Sequence, residues 1–190
     1  MRDDLVQLHR NFSHQYSVAR QQRTQSVSVV VALDTMVEAL TSQIRALNAE
    51  ITQLLIEGAW AESGRVLLGI PGLGPIPAAW LLVETLNFSL VTSAAQLTAY
   101  AGLAPRAVGE SEAQTNSLYQ RDCHDAGRLR IALYEATRHA MREHPTIRAF
   151  ALRLREVGKP RKVVQRAAAR KMLHLAWALV KPQLPRRTPD

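Results

Sequence analysis

Lys162, Arg166 and Arg170 recur at intervals of four, with His174 one interval further on. On a helix this spacing makes a single basic stripe. Lys159, Arg161 and Lys171 thicken it, and no acidic residue occurs between Glu156 and Asp190. A charge run is ordinarily a solvated face, and that reading stays open. A face without balancing acids is better suited to the phosphates of a polyanion. The charge is also placed unevenly. Residues 1–100 hold 6 basic and 8 acidic side chains, whereas residues 101–190 hold 18 and 8. That asymmetry favours nucleic acid as a partner over plain solubility.

A second feature is Leu68–Leu82, "LGIPGLGPIPAAWLL". A helix, a Pro-Gly-Leu-Gly-Pro turn and another helix have the layout of a helix-hairpin-helix. Gly72 and Gly74 lack side chains, so their backbone can approach a ligand closely. Amides beside a helix N-terminus form a positive nest for one phosphate. Such a contact positions the nucleic acid without reading its bases. The alternative is a tight turn between two packed helices. Pro75 and Pro77 remove two N–H groups, which weakens the phosphate reading.

Two further groups carry less. Asp122, Cys123, His124 and Asp125 are metal-ligating types, but adjacent residues rarely reach one ion and the usual spacings are missing. They read as a loop ending in a helix N-cap at Asp125, and no metal site is expected. Ser111 lies between Glu110 and Glu112. A serine attacking a phosphodiester needs positive charge around the developing oxyanion, and two flanking carboxylates oppose it.

The elements that must position these residues are helical throughout. Leu5, Leu8, Phe12, Tyr16 and Ala19 predict an amphipathic helix over 3–23. "TQSVSVVVA" is rich in β-branched residues and predicts a bend or a short extended piece. Val30, Leu33, Val37, Leu40, Ile44, Leu47, Ile51 and Leu54 then alternate in steps of three and four, the heptad pattern of a coiled coil. The partner is either the first helix folded back or the same helix of another subunit. Gly58 and Gly64 break the pattern, and a short helix covers Arg65–Leu68. Pro75 or Pro77 starts the next helix, and Thr92 or Ser93 caps another that stops at Gly102 and Pro105. Residues 106–127 read as a long loop. Helices follow over Arg128–Glu143, 145–157 and 160–181, and residues 182–190 form a tail.

The expected fold is all-α: a helical hairpin or coiled coil over 1–58, then a small helical domain over 59–181 containing the helix-hairpin-helix. The chain has 190 residues, 47% of them hydrophobic and 5% aromatic, which suits packed helices rich in Ala and Leu. Its single cysteine excludes an internal disulfide and fits a reducing cytoplasm. The N-terminus lacks an apolar signal core, and no uninterrupted run of about 18 apolar residues occurs, so no membrane span is expected.

The order of these motifs resembles a known family. "LLGIPGLGPIPAAWLLVETLNFSLVTSAAQLTAYAGLAPR" followed by "LRIALYEATRHAMREHPTIRAFALRLREVGKPRKVVQRAAARKMLHLAWALV" is similar to the C-terminal domain of the bacterial insertion-sequence family one hundred and ten, the RNA-guided bridge recombinases. The resemblance covers about residues 65–181, and the heptad helix resembles the coiled coil that precedes this domain. It implies DNA recombination, a structured guide RNA, and multimers assembled through the helical region, here residues 30–54. Family members carry a RuvC-like domain whose acidic residues hold magnesium, and a serine in the C-terminal domain attacks DNA. The present sequence has no counterpart of that acidic domain, so no cofactor is expected in this chain. Magnesium would enter only with a RuvC-like partner. The family's Ser-Gly pair after the Ala-Pro is also altered, and Ser111 is the nearest carry-over of the nucleophile.

The resemblance thus implies a nucleic-acid-binding protein of transposase lineage without catalysis of its own, in a bacterial cytoplasm and close to the nucleoid. The alternatives are a serine recombinase fragment acting through Ser111 and a purely structural oligomerisation module. The expected nucleic-acid-binding residues are Gly72, Gly74, Arg106, Arg121, Arg128, Arg130, Lys159, Arg161, Lys162, Arg166, Arg170 and Lys171.

Overall fold

The computed structural model describes residues 1–21, 26–104 and 123–183, with side chains in the last segment from Gly127 onward. Among them are eight α-helices and no strand, the all-α fold expected. The chain divides into two compact units, Met1–Thr52 and Gln53–Asp190.

The first unit contains α1 (Arg2–Gln21) and most of α2 (Val27–Glu57). Arg2 Nε donates to Asn48 Oδ1 at 3.0 Å, and His9 Nε2 lies 3.0 Å from Thr41 Oγ1. His14, Val18 and Ala19 line an open hollow with Val29 and Leu33. These pairings run the helices antiparallel, so α1 folds back along the heptad stripe. Val30, Leu33, Val37, Leu40, Ile44, Leu47 and Ile51 are half-buried. Leu8 is 45% exposed, and the α1 stripe runs instead through Leu5, His9, Phe12, Tyr16 and Ala19.

The β-branched stretch is helical from Val27, not bent or extended. Each β-branched residue costs only a few tenths of a kcal/mol in a helix, too little to stop one that continues for many turns. The Ser26 carbonyl accepts the first amides, from Val29 and Val30. By length and composition α2 is also apolar enough to cross a membrane, with a mean hydropathy of 1.4 over its best window. Asp34, Glu38, Arg45, Glu50 and Glu57 interrupt its apolar sequence.

The heptad register does not survive into the second unit. Leu54 is 60% exposed, and Leu55 is buried in its place. The cause is α3 (Ala61–Leu68), which begins earlier than the short helix expected at Arg65. Gly64 lies inside this helix rather than ending one. A Cβ there would sit 2.1 Å from the Leu55 carbonyl oxygen, so only glycine allows α3 to close onto the last turns of α2.

The second unit continues with α4 (Pro75–Glu84), α5 (Ala94–Tyr100), α6 (Cys123–Glu143), α7 (Pro145–Glu156) and α8 (Arg161–Val180), then a 3₁₀ turn at Lys181–Gln183. Pro75 takes the first helical position of α4, where no N–H is needed. Ser93 caps α5, its Oγ accepting from the Gln96 amide at 3.1 Å while Gln96 Oε1 accepts from Thr92. Helix α6 starts before the expected Arg128, so Asp125 lies within it rather than at its cap. The centre is α8. Its Val164, Ala168, Ala169, Met172, Leu173, Ala176, Trp177 and Val180 are buried, and it packs on α3, α5, α6 and α7. The three alanines let neighbouring helices approach closely, and Leu67, Leu81, Leu97, Leu129, Leu133 and Ile147 are among the core residues around them.

Between α4 and α5, Leu86, Asn87 and Phe88 have φ of 45°, 54° and 62°. Three consecutive non-glycine residues in the left-handed region cost about 1–2 kcal/mol each. Burial of Phe88 against Trp177, with ring centroids 5.9 Å apart, offsets this cost. Thr85 Oγ1 accepts the Phe88 amide at 2.9 Å and fixes the turn. Leu86 is 51% exposed and gains little in return. Leu86→Gly is therefore expected to stabilise the protein by about 0.5–1 kcal/mol, after allowing for glycine's extra freedom in the unfolded chain. Urea unfolding followed by tryptophan fluorescence measures this, and a lower midpoint would contradict it.

Candidate nucleic-acid interface

The turn Ile70–Gly74 joins α3 to α4. Gly72 has φ of +88°, and a Cβ there would lie 2.4 Å from the Ala140 nitrogen and 2.5 Å from its Cα. The missing side chain is thus required by close packing of the turn on α6, whether or not a ligand is present. Gly74 differs. It is the N-cap of α4, with φ of −72°, and its Cβ position is open. The hollow in front of it is lined by Gly72–Pro77 and by Glu135, His139 and Glu143 of α6. Arg138 partly offsets Glu135 at 3.1 Å. Pro75 and Pro77 donate nothing, and the Ala78 amide already bonds the Gly74 carbonyl. Few donors and two carboxylates make this hollow a poor phosphate nest by itself.

The basic stripe of α8 divides into exposed and inward-facing members. Lys159, Arg161 and Lys162 are exposed at its start, and His174 is exposed near its end. Arg166 and Arg170 are half-buried. Arg166 Nη2 donates to the carbonyls of Gly102 and Ala104 at 3.4 and 3.2 Å, and Arg170 Nε is buried without a partner. Arg128 lies over the Trp80 ring at 5.8 Å. Arg130 lies against Gly102. Lys171 and Arg153 both approach the Phe150 ring, at 5.1 and 5.5 Å. Ser111, Arg106, Arg121 and Asp122 fall outside the described residues. Among the described residues no cluster of His, Cys, Asp or Glu is arranged to hold a metal.

The fold adds cations that the sequence reading left out. Arg148, Arg153 and Arg155 are exposed on α7. A short turn, with Gly158 at φ of +75°, leads from α7 to Lys159, Arg161 and Lys162. The α7–α8 corner therefore gathers five exposed cations, Arg153, Arg155, Lys159, Arg161 and Lys162, with Glu156 among them, while Arg148 lies near the start of α7. The signal was present in "RAFALRLR", but its arginines are not evenly spaced and make no stripe alone.

Residues 64–152 match the Transposase IS116/IS110/IS902 family. The matched stretch runs from within α3 to within α7, and so includes the glycine turn and Arg148 but ends before Arg153 and the cations that follow it. The chain is also similar to the "Insertion element IS900 uncharacterized 42 kDa protein" of Mycobacterium paratuberculosis. The two are 30% identical over 152 residues, which is 77% of this chain and 38% of that relative. Both findings support a similarity to IS110-type transposases, and the chain spans about two fifths of the length of the relative it matches.

Proposed function

We propose that this chain binds DNA during transposition or recombination, and also structured RNA, without cleaving strands on its own. The observation that carries this reading is the α7–α8 corner, where Arg153, Arg155, Lys159, Arg161 and Lys162 are all exposed. Cations gathered at one corner bind phosphates and release counterions, so affinity falls steeply with salt. The helix-hairpin-helix at 68–82 has the secondary role of positioning the strand. Magnesium is no part of this reading unless a RuvC-like chain supplies it.

The half-covered stripe of α2 supports self-association. Packed on α1 alone, Val30, Leu33, Val37, Leu40, Ile44, Leu47 and Ile51 stay only half-buried, and a second copy would complete their cover. The reading places the protein in a bacterial cytoplasm, close to the nucleoid.

The test compares duplex DNA, single strands, branched DNA and RNA at several salt concentrations. Salt-sensitive binding to at least one is expected, and no binding at low salt to any of them would end the proposal. Strand cleavage or a covalent protein–DNA adduct, lost in Ser111→Ala, would favour the serine recombinase instead.

A further inference from the structure

We propose that Arg130 and Arg166 clamp one backbone phosphate of a nucleic-acid strand at the turn 101–104, just after α5. This rests on the nucleic-acid-binding reading and names a phosphate subsite within it. Gly102 is the pivot. It has φ of +66°, and a Cβ there would lie 2.6 Å from Arg130 Nη1. The absent side chain lets one guanidinium, from α6, close onto the turn. A second guanidinium, from α8, reaches the same residue, as Arg166 Nη2 donates to the carbonyls of Gly102 and Ala104.

Satisfying the turn's carbonyls explains one of these charges. The turn's own carbonyls, of Gly102 and Ala104, need a donor, and Arg166 fills that role. They do not explain the second. Among the described residues neither arginine forms a salt bridge with a carboxylate. Two like charges held at one residue repel, and an anion between them removes the repulsion. Both bonds from Arg166 leave through Nη2, so Nε and Nη1 remain to face an oxyanion. Both side chains are half-buried, which weakens screening by salt. A strand is favoured over a free phosphate because Lys162, exposed and one helical turn before Arg166, extends the path of cations.

The test measures the anisotropy of a labelled DNA duplex with the full chain across a salt series. Arg130→Gln and Arg166→Lys are each expected to weaken binding about tenfold and to lower the salt slope by about one. Arg130→Gln should melt like the parent protein, since no hydrogen bond of Arg130 is lost, and it carries the test if Arg166→Lys folds poorly. Arg142→Gln removes an exposed charge bonded only to His139 and should change affinity by about twofold at most. Unchanged affinity and slope in Arg130→Gln, with parental binding intact, overturns the clamp alone. Equal losses in Arg130→Gln and Arg142→Gln overturn it too, since net charge would then be the cause. Inorganic phosphate that protects the parent thermally but leaves the Arg130→Gln duplex affinity at the parental value assigns the pair to free phosphate and overturns the strand assignment. A parent chain that binds no nucleic acid overturns both readings.

Discussion

Gly72→Ala is expected to cost the second unit about 2–5 kcal/mol. Two separate penalties add. An alanine at φ of +88° is in the left-handed region, at about 1–2 kcal/mol. Its Cβ would also stand 2.4 Å from the Ala140 nitrogen, which is backbone and cannot rotate aside. Forcing the turn away from α6 is overpacking, at about 1–3 kcal/mol. Set against a typical domain stability of about 5–15 kcal/mol, that is a large share. Trp60, Trp80 and Trp177 all lie in the second unit, so tryptophan fluorescence during urea unfolding reports on it directly. Gly74→Ala is the matched comparison. Its φ is ordinary and its Cβ position is open, so stability should change by no more than about 0.5 kcal/mol. Equal losses at the two glycines would refute the packing role assigned to Gly72.

Replacing Lys159, Arg161 and Lys162 together by glutamine is expected to weaken DNA binding about 100-fold at low salt. The slope of log affinity against log salt should fall by roughly 2–3, since each phosphate contact contributes about 0.9. The three side chains are exposed at the start of α8, and their loss should leave the unfolding midpoint where it was. A salt slope equal to that of the parent would place the phosphates on another face of the molecule.

The two results would separate roles that a glycine-rich turn and a basic helix usually share. Gly72 is accounted for by packing, and the α7–α8 corner by charge. What remains for the hairpin is Gly74, open but faced by Glu135 and Glu143. Its contribution to binding is therefore expected to be smaller than that of the corner.

Much of the fold was legible because helices announce themselves locally. The steps of three and four from Val30 to Ile51, Pro75 and Pro145 at first helical positions, and Ser93 three residues before Gln96 are each satisfied within a turn or two of chain. The errors came where a distant segment intervened. Leu54 continues the heptad by spacing, yet Leu55 is buried, because α3 arrives from another direction and Gly64 must touch that turn. Gly64 reads as a helix breaker in isolation, but its missing side chain is what admits the contact.

The candidate site divides along the same line. Sequence alone determined that the second half of the chain is strongly basic, that α8 carries cations without neighbouring acids, and that a glycine-proline turn joins two helices. Charge and backbone preference are properties of single residues, so they survive any fold. Only the tertiary structure decided which cations face water. Arg166 has the same spacing as Lys162, but its guanidinium turns inward to the Gly102 and Ala104 carbonyls, while Arg153 and Arg155 join the exposed corner from another helix. Which carbonyls, rings or carboxylates lie within reach depends on helix packing across tens of residues of chain, and no local pattern encodes that.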